Sequence, residues 1–157
     1  MKGRQRQSGV TLIEMMIVVT IIGLVAAISF PSITSGLDSL RLSSASNSIV
    51  SLLNTGVTRA ERRQQPVEVT IARAENFIQL RSTDPGLNRR LDMPEGIKIT
   101  RVLPEIPTAD ERQPRIFMLY PGGTVPRFGV EIVNSKGRYR IVRVDPITGV
   151  PQIEDHQ

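Results

Sequence analysis

The sequence predicts an α+β fold in which one long N-terminal helix packs on an antiparallel β-sheet. A run of 21 residues from Val10 to Phe30 is apolar except for a single charge, and the residues after it are apolar at every third or fourth position. After residue 66 the periodicity changes to the two-residue alternation of strands, with glycine or proline at the turns. Several short strands behind a single long helix are typical of an α+β domain.

The apolar run is long enough to cross a bilayer. Its 21 residues, 10–30, contain Glu14 as their only charge, and as a helix they would reach about 31 Å. Lys2, Arg4 and Arg6 precede the run without any acidic residue, which favours a cytoplasmic N-terminus. We therefore predict a single transmembrane helix over residues 10–30, with the rest of the chain on the far side of the membrane.

A secretory signal peptide is the first alternative for this segment. Such a signal also has a basic start, but its apolar core is about 7–15 residues long, and the small residues of its cleavage site follow the core. Here the core is longer, Glu14 lies inside it, and the small residue Gly9 precedes it. These differences indicate cleavage before the apolar run, which would leave the helix on the mature protein.

The segment from Gly9 to Glu14, with the sequence GVTLIE, closely resembles the type IV prepilin cleavage and methylation motif. The resemblance implies that a prepilin peptidase removes residues 1–9 by cutting between Gly9 and Val10, and then methylates the new amine of Val10. The family more often has Phe after the cut, so Val10 departs from its pattern. The resemblance also implies a protein of the bacterial inner membrane whose C-terminal domain is periplasmic, and which joins other pilins or pseudopilins in a filament.

Glu14 is the fifth residue after the expected cut. An ionised carboxylate in lipid is costly unless it has a partner, so one explanation is a carboxylate that reaches the interface from the helix end or stays protonated. In the pilin family the corresponding carboxylate is thought to meet the N-terminal amine of a neighbouring subunit. The resemblance therefore implies an assembly charge pair between Glu14 and Val10 of another subunit.

The amphipathic second half of the helix is predicted over residues 31–65. Pro31 in a helix interior would remove one hydrogen bond and bend the axis, and it resembles the proline of pilin helices at the same distance from the cut. Gln64-Gln65-Pro66 would end the helix. Its apolar positions are Ile33, Leu37, Leu40, Ile49, Leu52, Leu53, Val57 and Ala60.

Residues 66–157 predict a β-rich domain that forms one globular unit with residues 31–65. We expect a hairpin of strands 67–72 and 77–80, a loop over 84–90, a third strand at 97–103, a second loop that ends at Pro114, and a C-terminal meander of strands 115–120, 128–133, 138–144 and 150–153. The predicted core residues are Leu40, Ile49, Leu53, Val69, Ile71, Phe77, Ile116, Ile132 and Ile141.

A second resemblance concerns the C-terminal part of the chain. The order of Tyr120-Pro121-Gly122-Gly123, Glu131-Ile132, Tyr139-Arg140-Ile141-Val142 and Thr148-Gly149-Val150 is similar to the general secretion pathway protein H and FimT group of minor pilin-like proteins. It implies a minor pseudopilin of a type II protein secretion system, within a periplasmic pseudopilus. The alternative is a FimT-like minor pilin of a type IV pilus, with a role in pilus assembly, adhesion or DNA uptake.

Composition argues against catalysis and against a disulfide framework. The chain has no cysteine, so it cannot close the C-terminal disulfide loop that major type IV pilins commonly have. Its one histidine is His156, next to the end, which excludes histidine-based triads and histidine metal clusters. We predict no enzymatic activity, no cofactor and no metal site.

Nucleic-acid binding is the open alternative among the partners. Arginine supplies 17 of the 20 basic residues, and Arg138 and Arg140 would share one strand face, with Arg143 on the other. The net charge of +5 includes the three cations of the leader, so the mature chain would carry only +2. Acidic residues are interspersed and aromatic residues are few, so a solvated strand face is the simpler explanation.

Overall fold

The computed structural model describes residues 10–83, 86–106, 110, 112–122 and 125–155, and for residues 29–35 and 155 it describes only the backbone. The predicted leader 1–9, Gly123 and His156 lie outside the described residues, as do parts of both predicted loops. Contacts divide the chain into two compact units, Met1–Leu37 and Asp38–Gln157, and each is described by itself.

One long helix is followed by eight strands among the described residues, which confirms the predicted α+β class. The strands form two four-stranded antiparallel sheets, sheet A in the order β3-β2-β1-β5 and sheet B in the order β4-β6-β7-β8. The elements are α1 (Leu12–Arg63), β1 (Val67–Ala72), β2 (Phe77–Ser82), β3 (Asn88–Asp92), β4 (Ile97–Leu103), β5 (Arg115–Leu119), β6 (Gly129–Asn134), β7 (Tyr139–Val144) and β8 (Pro151–Asp155).

Helix α1 ends where the sequence predicts. Gln64 takes a left-handed backbone conformation with φ of 53°, and the N–H of Gln65 donates to the carbonyl of Ala60 at 3.3 Å. This is the hydrogen bond of a Schellman motif, and Pro66 follows because proline cannot continue the helix. Among the described residues, no helix combines the length and the apolarity needed to cross a bilayer, so the transmembrane helix predicted over residues 10–30 is not confirmed.

In sheet A the predicted first hairpin is confirmed, and two other predictions are wrong. Strands β1 and β2 pair as predicted, across a turn in which Asn76 has a φ of 58°. The loop predicted over 84–90 is wrong for residues 88–90, which begin β3 and pair with β2. Strand β5 pairs with β1 rather than with β6, so it is not part of the C-terminal meander in which the sequence predicts it. Strand β3 is an edge strand with mostly exposed side chains, so it lacks the apolar alternation that would have predicted it.

Sheet B holds the remainder of the meander. Strands β6, β7 and β8 follow one another as antiparallel neighbours, as predicted, and β4 joins the free side of β6. The turn between β6 and β7 is organised by Asn134, whose Oδ1 accepts the backbone N–H groups of Lys136 and Arg138 at 3.0 and 2.9 Å. Gly137 supplies the positive φ that this turn needs.

The core lies between the second half of α1 and the two sheets. Of the predicted core, six residues are buried: Ile49, Leu53, Val69, Ile71, Ile132 and Ile141. The prediction is wrong for Leu40 and Ile116, which expose 68% and 59% of their surface. Phe77 is only partly buried, with the guanidinium of Arg90 3.6 Å from its ring centre.

The reason for both errors is the face on which each residue lies. Leu119 is buried and Phe117 packs against the core, so the alternation of β5 turns Ile116 to the opposite side of the sheet. On α1, Leu42 is buried and Leu40 is exposed, because residues two apart in a helix lie on nearly opposite faces.

Candidate functional site

The start of α1 is a capped helix end that presents both predicted assembly residues. Val10 and Thr11 precede the helix and are exposed. Thr11 Oγ1 accepts the backbone N–H of Glu14 at 3.3 Å, so Thr11 caps the helix. Glu14 lies in the first turn, where a negative charge interacts favourably with the helix dipole. Its exposed side chain is open to a partner from outside this unit.

The capping role of this segment is a feature that the sequence reasoning missed. The signal was present, because Thr11-Leu12-Ile13-Glu14 fits the capping-box pattern of Ser or Thr followed three residues later by Glu or Gln. In this pattern Glu14 is the third residue of the helix. This local role is additional to the intermolecular role that the resemblance implies.

The other predicted site residues are placed only in part. Gly9 lies outside the described residues, so the cleavage site is represented by the exposed Val10 alone. Pro31 lies within the backbone of α1, and its side chain is outside the described part of the chain. Cleavage at Gly9/Val10, methylation of Val10 and a bend at Pro31 stay predictions.

The first half of α1 is apolar on all sides and uncovered within its own unit. Its twelve large apolar residues between positions 12 and 28 are all exposed, from 44% at Val18 to 81% at Leu12. The hydroxyl of Thr20 donates to the carbonyl of Met16 at 2.7 Å, so this polar group is satisfied within the helix. A helix that is apolar all round is one that a lipid or protein surface must cover.

The second half of α1 is held at two places in the Asp38–Gln157 unit. Asp38 Oδ2 accepts from Ser135 Oγ at 3.2 Å and lies 3.9 Å from Lys136 Nζ. Near the helix end, Glu61 Oε1 accepts the backbone N–H of Gly122 at 3.0 Å. The β6–β7 turn and the segment after β5 therefore fasten opposite ends of this part of the helix, in addition to the apolar core between them.

A buried carboxylate in sheet B is paired and has a structural role. Glu131 accepts from Thr100 Oγ1 at 2.7 Å and from Arg101 Nε at 2.9 Å. The hydrogen bond from Arg101 holds the pKa of Glu131 below its ordinary value, against the opposing effect of burial. This cluster joins β4 to β6 where their register shifts, between Ile99 and Arg101.

Several of the arginines that raised the possibility of nucleic-acid binding have intramolecular partners. Arg138 Nη1 donates to Ser39 Oγ of α1 at 3.1 Å, and Arg143 Nη1 lies 3.4 Å from Glu154 Oε1. Arg90 forms an ion pair with Asp92 at 2.8 Å. Among the described residues, no group of three or more His, Asp or Glu side chains is arranged to hold a metal ion.

Comparison with known proteins supports the first resemblance. Residues 4–30 match the family model described as the prokaryotic N-terminal methylation motif. No curated protein and no solved structure matches the chain. The likeness to the general secretion pathway protein H and FimT group is therefore not confirmed. The motif indicates a type IV pilin-like or pseudopilin substrate of prepilin peptidase, which is anchored by its N-terminus and assembles with other pilin-like subunits.

Proposed function

We propose that this chain is a minor pseudopilin of a type II protein secretion system, a non-catalytic subunit of a short periplasmic pseudopilus. The observation that carries the proposal is the exposure of the apolar side chains in the first half of α1. Its apolar side chains are exposed on every side, directly after a methylation motif. In a filament the same halves of neighbouring subunits would cover these surfaces, so the uncovered helix is explained by assembly.

Before assembly, the apolar segment would anchor the subunit in the inner membrane. The proposal places the three cations of residues 1–9 in the cytoplasm and the β-rich domain in the periplasm. Prepilin peptidase would then cut between Gly9 and Val10 and methylate Val10. The predicted domain boundaries, a span over 10–30, an amphipathic half over 31–65 and a β-rich part over 66–157, belong to this proposal.

Glu14 would guide the register of assembly. Val10 and Glu14 lie at the same exposed end of α1, four residues apart. In the low dielectric of a filament core, the methylated amine of one subunit needs a counter-charge, and Glu14 of the next subunit would supply it. A backbone bend at Pro31 would let the helix adapt to its neighbours.

The test is intact-mass analysis of the protein extracted from membranes of a host that has an active prepilin peptidase. We expect a chain that begins at Val10 and carries one added methyl group. The same protein from a peptidase-deficient host should retain residues 1–9, and Gly9→Ala should slow cutting, because a methyl group would occupy the place of a hydrogen. A chain with residues 1–9 still attached in the active host would contradict the proposal.

A minor pilin of a type IV pilus is the second candidate, and the abundance of arginine favours it where DNA uptake is the task. Crosslinking in the native host separates the two. We expect capture of other pseudopilins of a secretion system, encoded beside a secretin and a secretion ATPase. Capture of major pilin subunits instead would favour the type IV pilus.

A further inference from the structure

Strand β3 is one of the four edge strands among the described residues. Edge strands are commonly blunted by bulges or prolines because their open backbone groups can pair with another chain. Strand β4 has a register shift, β8 begins at Pro151, and β5 directly follows Pro114. Strand β3 contains no proline and pairs with β2 in unbroken register over all five of its residues.

An open groove runs beside this edge. It has a volume of about 880 Å³ and is lined by residues of β3 and of the second half of α1. The helix lines it mainly with short polar side chains, namely Ser43, Ser44, Asn47, Ser48, Ser51 and Thr55, together with Leu40 and Leu52. An added strand would lie about 4.8 Å from β3, and short side chains leave room for a backbone there.

The charge of the groove is positive. Arg89 is opposite Leu80, a residue buried on the helix side of sheet A, so the side chain of Arg89 lies on the groove side. Arg90 alternates to the other face, where it meets Asp92 and Phe77. Arg89 has no ion pair with a described residue, and the described residues that line the groove include no Asp or Glu.

We propose that β3 and this groove accept an extended acidic segment of a partner protein, which adds to sheet A as a fifth strand. Backbone hydrogen bonds to the open edge would hold the segment, and its carboxylates would meet Arg89. A second copy of this chain is the less favourable occupant, since antiparallel pairing of two β3 strands centred on Arg90 would place the two Arg90 side chains opposite each other. This surface is separate from the apolar half of α1.

The experiment measures binding of short fluorescent peptides to the full chain in zwitterionic detergent at physiological salt. We expect saturable binding of a peptide that alternates glutamate and valine, and no binding of one that alternates lysine and valine. Arg89→Gln should weaken binding of the acidic peptide several-fold, and Arg89→Glu should weaken it on the order of tenfold and favour the lysine peptide. Ser51→Trp should also weaken binding, because an indole would fill the groove without a change of charge.

Two controls separate strand addition from simple attraction of charge. Arg81→Gln removes the same charge from an exposed position of the neighbouring strand β2, on the opposite face of sheet A, and should leave the affinity unchanged. An acidic peptide with methylated backbone nitrogens cannot form the ladder, so it should not bind. Equal binding of the methylated peptide, equal weakening by Arg81→Gln, competition by duplex DNA at the same site, or no saturable binding would each overturn the proposal.

Discussion

Ile132 and Ile116 both lie in predominantly apolar strands but differ in burial. Ile132 in β6 is fully buried, whereas Ile116 in β5 exposes 59% of its surface. We expect Ile132→Ala to lower the free energy of unfolding by about 2–4 kcal/mol, because it removes buried contacts and leaves a cavity. Ile116→Ala should change it by less than about 0.5 kcal/mol. Denaturant unfolding of both variants provides the measurement, and equal losses would show that β5 faces the other way.

Glu131 should make the stability of the chain depend on pH. Its pKa is lowered in the folded state by the hydrogen bond from Arg101, so its contribution is present above the ordinary carboxyl value of 4.5 and is lost as pH falls through the folded value. Glu131→Gln should cost about 1–3 kcal/mol at neutral pH, because it removes the ion pair with Arg101 and leaves that guanidinium only the longer contact with Glu105 at 3.4 Å. The difference between wild type and variant should shrink in acid. A difference that is constant from neutral to strongly acidic pH would contradict this role.

Glu14 should affect assembly and membrane insertion differently. Glu14→Gln keeps the shape of the side chain and removes its charge, so membrane fractionation should show insertion as good as or better than wild type. Crosslinking to other pilin-like subunits should fall, because the amine of Val10 loses its counter-charge.

Thr11→Val is the matched control for that experiment. It removes the hydroxyl that caps α1 at Glu14 but keeps the charge. If both variants reduce crosslinking equally, then loss of a well-formed helix end explains the effect. If neither does, the charge-pair mechanism should be abandoned for this subunit.

At the scale of the element, Gly56 sets the distance between α1 and sheet A. A Cβ atom at this position would lie 3.0 Å from a methyl carbon of Leu119 and 3.3 Å from those of Leu80. Gly56→Val should therefore destabilise the domain by about 1–3 kcal/mol, since the helix must move away from the sheet.

Gly36 on the same helix is the control position, because no atom of the described residues lies within 4 Å of a Cβ atom built there. Gly36→Ala should be neutral or raise stability by up to about 1 kcal/mol through helix propensity. Thermal melting of the two variants tests the pair. A Gly56→Val variant that melts like wild type would mean that α1 and sheet A are less closely packed than the structure shows.

For the molecule as a whole, the rival function can be tested by binding to duplex DNA. We expect weak binding without sequence preference, because several arginines already have partners within the chain. A basic DNA-binding surface would instead show a steep loss of affinity as salt rises, since each neutralised phosphate releases a counterion. Fluorescence anisotropy at physiological salt is the measurement. Tight binding abolished by the double variant Arg138→Ala and Arg140→Ala would place DNA uptake ahead of secretion. The melting curve of the double variant must match that of the wild type, since Arg138 also contacts Ser39 and its loss could destabilise the fold.

Local structure and the N-terminal motif can be predicted from the sequence alone. The end of α1 at Gln64, the hairpin turn at Asn76 and the turn from Asn134 to Gly137 all depend on side chains within a few residues of the turn they form. The segment from Gly9 to Glu14 is similar in kind, because a processing motif is a linear pattern of residues. Such features can be predicted since the residues that form them are neighbours in the chain.

The pairing of strands and the burial of their side chains depend on residues that are distant in the chain. The eight strands divide into two sheets, and β5 crosses to pair with β1, forty-eight residues before it at the register pair Val69 and Phe117. That pairing leaves Ile116 exposed. Strand β3 forms by backbone pairing with β2, although its sequence Asn-Arg-Arg-Leu-Asp has only one apolar residue. The groove beside β3 and the contacts of Glu61 and Asp38 arise in the same way. Local patterns do not contain these features, because long-range pairing depends on the burial and hydrogen bonds of all the strands together.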